Sequence, residues 1–314
     1  MSAYRIAWTG GAHLLLLGSL AVPASAQSAQ RSDRLVLEAA LGPRTSESTW
    51  SIGTAEGARS ILTYRNVRVG EARIGGRYRI AGDRRSGLDI VFHGAAGRIL
   101  SGSAQDSDFT LEARETSRSV SDIVGAGLLR FALGLGVDRE LSGDGAIRLS
   151  GSAGYERNGR TLRKQRGRQV IPDNYASWVL WNLDSRYSAR WAGPWIAVQP
   201  SVRLGTATWS IRGVGYIANR YRAEGSWNLR DDLVQPRSFT QRAAASGYDL
   251  RLRFSRPIEP DLFLAIEVEH AWRSAARGGT DLLFFKDGRV VRSTLRGATW
   301  RSSGLTIGLS SAGY

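Results

Sequence analysis

The chain has 314 residues, carries 43 Lys and Arg against 28 Asp and Glu for a formal charge of +15, and contains no cysteine. The missing cysteine excludes disulfides and thiolate metal centres, and no uninterrupted apolar segment reaches the roughly 20 residues that a membrane helix needs. Glycine is abundant at 37, proline scarce at 8, and 10 Trp, 10 Tyr and 8 Phe are spread along the whole length. That composition suits strands with small residues at bends and aromatics at interfaces.

The first residues read as an export signal. Arg5 gives a short basic start, His13–Val22 (HLLLLGSLAV) an apolar core, and Ala24-Ser25-Ala26 a small-x-small cleavage site, which places the cut before Gln27. Residues 1–26 are therefore assigned to the signal and 27–314 to a single domain. Removing the signal takes away one Arg and no acid, so +15 becomes +14. In an exported chain with strand patterning this balance points to an anionic lipid surface. It does not point to nucleic acid, because the arginines alternate with apolar residues along strands and no nucleic-acid motif accompanies them.

Leu35–Leu41 alternates as a first strand, and Pro43–Gly57 reads as a Ser/Thr/Gly-rich loop. The cleanest period-two signal is Glu71–Ile80. Glu71, Arg73, Gly75, Arg77 and Arg79 share one face, and Ala72, Ile74, Gly76, Tyr78 and Ile80 the other. Charges at every second position fit a strand with a wet lumen on one side and lipid on the other. Ser60–Val69 joins it without a turn signal, making one long second strand. Ala81–Gly87 is a tight turn, and Leu88–Asp108 is a third strand that ends in an acidic extracellular tip at Asp106 and Asp108.

Asp122–Val137 makes strand four, and Ser142-Gly143-Asp144-Gly145 a turn. Strand five starts at Ala146 and fades into Arg157–Arg168 (RNGRTLRKQRGR), read as a basic loop in which Arg163, Lys164, Arg166 and Arg168 can bind phosphate of an outer-leaflet glycolipid. Trp178–Trp191 with Trp195–Leu204 makes strand six, where Pro200 marks a fault or bulge. Strands seven (Thr208 to about Arg222), eight (Ser238–Phe254) and nine (Leu262–Ala271) follow, with loops at Glu224–Pro236 and Gly278–Gly288. Strand ten ends at Tyr314, with a register break expected near Ser310–Gly313 because Leu305, Ile307 and Leu309 share a parity that Tyr314 lacks. The fold class expected is all-β: a transmembrane antiparallel up-and-down β-barrel of ten strands in the bacterial outer membrane.

The sequences SILTYRNVRVGEARIGGRYRI, GSAQDSDF, GPWIAVQPSVRL and EHAW, in this order and with a terminal aromatic strand, resemble the omptins, ten-stranded outer-membrane proteases. The resemblance implies an aspartate pair on one side of an extracellular groove, matched by Asp106 and Asp108, and a histidine–aspartate pair on the other that activates water for cleavage after a basic residue. The stretch corresponding to the second pair, AEGSWNLRDDLVQPRSF, holds Arg230, Asp231 and Asp232 but no histidine. His93 falls on the lumen parity, 13 residues before Asp106, and His270 on the lipid parity beside Trp272. Neither can supply a base poised near neutral pH within reach of that water. The reading is thus a non-catalytic surface structural or binding barrel. Its alternatives are an endopeptidase with rearranged groups and a narrow porin. Lipopolysaccharide is the expected lipid partner, surface peptides or proteins are further candidates, and no cofactor or metal is implied.

Overall fold

The computed structural model describes residues 34–54, 57–83, 85–125, 127–172 and 178–311. The expected export signal and Tyr314 lie outside them. The described chain is antiparallel strand throughout: β1 (Leu35–Gly53), β2 (Ala58–Gly82), β3 (Ser86–Phe109), β4 (Glu115–Ile123), β5 (Gly127–Glu140), β6 (Ile147–Ile171), β7 (Val179–Leu180), β8 (Ser185–Leu204), β9 (Ala207–Ser226), β10 (Phe239–Glu259), β11 (Leu262–Ala275), β12 (Gly279–Phe284) and β13 (Val290–Ser310). β4 and β5 follow one another between β3 and β6 and act as one wall strand, while β7 and β12 are short additions at the long-loop end. The remainder is a ring of ten, closed where β13 pairs with β1 from Glu38↔Ser310 to Gly53↔Thr294.

Closure leaves no sheet edge, which a lipid-embedded sheet requires because hydrocarbon offers no partner for backbone N–H and C=O. Leu41, Ile74, Tyr78, Leu129, Phe131, Leu135, Ile196, Val198, Leu250, Leu252 and Ile307 all stand exposed on the outer surface. This is an apolar belt of the kind that faces lipid. The alternation in Glu71–Ile80 holds: Glu71 and Arg73 are buried in the lumen, and Ile74, Tyr78 and Ile80 face out.

Several segments expected to be loops are strand. β2 and β6 each run 25 residues, whereas a tilted crossing uses only about 9–11, so the sheet continues well beyond the membrane. Pro43–Gly53 belongs to β1, with Ser46, Ser48 and Trp50 buried inside. Arg157–Arg168 belongs wholly to β6, and Gly279–Phe284 of the expected fifth loop is β12, paired with β10 and β13. Strand four is split: Asp122 and Ile123 end β4, and β5 starts at Gly127. Polar residues stay in register there because the sheet has hydrogen-bonded neighbours on both sides. Trp178–Asp184 is not part of the wall strand, which starts at Ser185. Pro200 sits opposite Leu149 in unbroken register rather than at a bulge, and the irregularity of β8 falls between Ala192 and Trp195. Against β1, β13 shifts register between Leu295 and Gly297 and then keeps it to Ser310; residues 312 and 313 of the expected C-terminal break lie outside the described residues.

The lumen is crossed by ion pairs. Arg130 on β5 reaches Asp249 on β10 (2.6 Å) and Glu269 on the opposite wall (3.4 Å), and its Nε donates to Glu156 (2.9 Å). Arg73 bonds Glu267 and Glu269, both at 2.7 Å, Arg44 holds Glu71 at 2.9 Å, and Arg273 contacts Asp249 at 2.5 Å. Toward the long-loop end this network gives way to an apolar layer in which Trp50, Tyr64, Tyr187, Trp227 and Phe239 stack with centroids 5.1–6.3 Å apart. Removing one partner of a buried pair leaves an uncompensated charge, so Glu269→Gln should cost about 3–5 kcal/mol. The readout is the urea midpoint of the refolded barrel in vesicles, and a midpoint unchanged from the native one would contradict this account of the lumen.

Candidate functional site

A bulge decides where the aspartates point. On β2, Arg65 and Asn66 are both exposed, Asn66 has a φ of 50°, and the pairing with β3 shifts between Arg65 and Arg68. Below it, odd residues of β2 face in (Val67, Val69, Glu71, Arg73); above it, even ones do (Leu62, Tyr64). β3 changes parity at the same level, from Asp89, Ala95 and Ile99 to Ala104. A straight strand would have turned Asp106 and Asp108 outward. Instead they are cross-strand partners of Leu62 and Ser60 and stand at the mouth of the lumen, on the extended sheet and not on a loop tip.

Asp106 is already engaged. Lys164 is buried on the inner face of β6, its Nζ donates to Asp106 Oδ2 at 2.9 Å, and it lies 4.3 Å over the Trp227 ring. Lys164 is therefore a cleft residue, in correction of the reading that put it among outward glycolipid ligands. The inward series Asn158, Leu162, Lys164 is the regular alternation of a strand, hidden in the sequence by the surrounding arginines. Asp108 stands at the exposed lip. Crowding by protein atoms, then the neighbouring Asp106 charge, push its carboxyl above the usual carboxylate range, opposed by a hydrogen bond from Ser60 and by the charges of Arg230 and Lys164.

The Trp227–Phe239 connection carries no histidine. In the Trp227–Phe239 connection Arg230 turns back on Asp232 at 2.7 Å, Asp231 is exposed, and Asn228 accepts from the Asp184 backbone N–H at 2.8 Å. His93 faces into the barrel and lines a cavity in the turn-side half with Arg130 and Arg251. At ~3.3 Å per residue it is roughly 40 Å of strand below Asp106. His270 points outward, with Nδ1 3.0 Å from Ser303 Oγ.

The remaining residues expected at a basic rim face out: Arg163 pairs with Asp184 (2.7 Å), Arg166 with Asp122 (2.8 Å), and Arg168 is exposed. A denser cluster was missed in the sequence. Arg190, Arg222 and Arg242 are direct cross-strand partners on β8, β9 and β10, and Arg157 and Arg220 both lie opposite Ala192 one step lower. All five are exposed on the outer face, and none has an acidic partner among the described residues. They stand just above outward Ile196, Ile217 and Tyr248. In the sequence each arginine is isolated; only register collects them.

The Asp106–Lys164 contact is shielded enough to be measurable. A double-mutant cycle with Asp106→Asn and Lys164→Met should return a coupling of about 1–3 kcal/mol in denaturant unfolding. Additive single effects would mean that the pair contributes nothing.

In comparison with solved structures, the fold is similar to the outer membrane protease OmpT from Escherichia coli, at a TM-score of 0.67 and 16% identity over 89% of this chain and 97% of that one. A Pseudomonas aeruginosa FadL homologue (TM-score 0.34, 8% identity, 89% and 90% covered) and the Pseudomonas aeruginosa outer membrane protein OprG (0.36, 8%, 89% and 96%) align more weakly. No curated protein matches the sequence. The model of the family described as Protochlamydia outer membrane protein, Pom, matches residues 29–312. The closed ring, the apolar belt and this match agree that the protein is an outer-membrane β-barrel, and the chain belongs to the Pom family.

Proposed function

We propose that this is a non-hydrolytic barrel of omptin-like architecture, a surface binding or structural protein seated in anionic glycolipid. The observation that carries the reading is the occupancy of Asp106 by Lys164. Water attack on a peptide needs a group able to take a proton near neutral pH within hydrogen-bond reach of the water. Asp106 is committed to an ammonium, and the groove offers no imidazole among its described residues. Asp108, with its raised carboxyl, is the one feature that favours a rearranged peptidase. Ion pairs that cross the lumen and the aromatic layer above them argue against a porin.

The lipid partner follows from the arginine ladder. Like charges directly opposite in a sheet repel, and a row of guanidiniums just above an apolar belt is relieved by phosphate, which they bind through charge-assisted hydrogen bonds. Surface peptides or proteins remain candidates for the cleft above the aromatic floor.

Two measurements test this. The refolded barrel, incubated with glycolipid and a mixed library of Arg- and Lys-containing peptides, should leave every peptide intact; cleavage that disappears in Asp108→Asn would establish the peptidase. Replacing Arg190, Arg222 and Arg242 with Gln should lower glycolipid retention several-fold at low salt and less at high salt, since exposed charges are screened over about 8 Å at 0.15 M. Unchanged retention would remove the ladder from lipid binding.

A further inference from the structure

Arg160 on β6 differs from the other enclosed arginines of the lumen. Arg44, Arg73, Arg130, Arg251 and Arg273 each contact at least one carboxylate. Arg160 contacts none among the described residues, its Nε is buried without a hydrogen-bond partner, and its guanidinium lies 5.4 Å from the centre of the Trp300 ring. A guanidinium does not lose its proton in a protein, so the charge persists. Arg160, Trp300 and Asn158 border a cavity of about 30 Å³ beneath the aromatic layer.

We propose that Arg160, at the cavity that Arg44, Arg130 and Asn158 also border, forms a binding site for one small inorganic anion of chloride size. Charge supports it: Arg44 and Arg130 also border the cavity, and Glu71, the acid on its wall, is already engaged by Arg44 and Arg73. Size narrows the ligand. A space of this volume holds one or two particles as large as water, which admits a halide and rejects phosphate or an organic acid. The anion gives the Arg160 guanidinium a partner at a point where an unpaired cation is costly to bury.

The site is independent of the cleft and of the outer ladder, so its test does not turn on the proposed function. Crystals of the native barrel grown in bromide should show an anomalous peak within about 3.3 Å of the Arg160 guanidinium; Arg160→Lys should keep it and Arg160→Gln should lose it. A peak confined to surface arginines, or density at Arg160 without anomalous signal, overturns the proposal. A second measurement needs no variant: exchanging chloride for gluconate, too large for the cavity, at fixed ionic strength should lower the unfolding temperature of the native barrel by several degrees through binding linkage. Equal stability in the two salts also overturns it.

Discussion

Every other feature of this molecule depends on the need to satisfy backbone hydrogen bonds where no water can do so. A sheet in hydrocarbon must close, and this one does so along β1 and β13 over 14 paired positions. Closure fixes which residues see lipid and which see the lumen. It also brings inward charges within reach of one another, which offsets the cost of burying them. The arginine and glutamate alternation of β2 is tolerable only inside such a ring.

Charge pairing then divides the interior. Arg130, Arg73 and Arg273 reach across the lumen to Glu269, Glu267 and Glu156 on non-neighbouring strands, and an aromatic layer caps them. In the cleft above, two aspartates stand at the mouth of the lumen. Lys164 places an ammonium at Asp106, and Arg230 spends its charge on Asp232. The charges that line the groove are thus largely paired with one another.

The ring itself was legible in the sequence, because Glu71–Ile80 and the Leu129–Val137 series display period two without interruption. The reach of the strands beyond the membrane was not. In Arg157–Arg168 the outward and inward residues are both basic, so alternation of polarity vanishes although alternation of direction persists. The orientation of Asp106 was hidden for another reason: it hangs on a one-residue fault at Asn66, some 40 positions earlier. Contacts such as Asp106 with Lys164, 58 residues apart, or Arg190 with Arg222 and Arg242, exist only once register is set, and no local pattern announces them.

The cross-lumen ion pairs also bear on how the ring is assembled. Glu267 and Glu269 sit on β11, which reaches β1 and β2 only through β13. Until the last strand zips onto the first, these acids cannot meet Arg44 and Arg73. A slip of the seam by two residues would preserve lipid-facing parity, and hence satisfy the bilayer, yet carry the acids roughly 6–7 Å away from their partners. The interior thus acts as a proofreading device: hydrophobicity selects the face, and the salt bridges reject seams that are apolar on the right side but wrong by a full repeat.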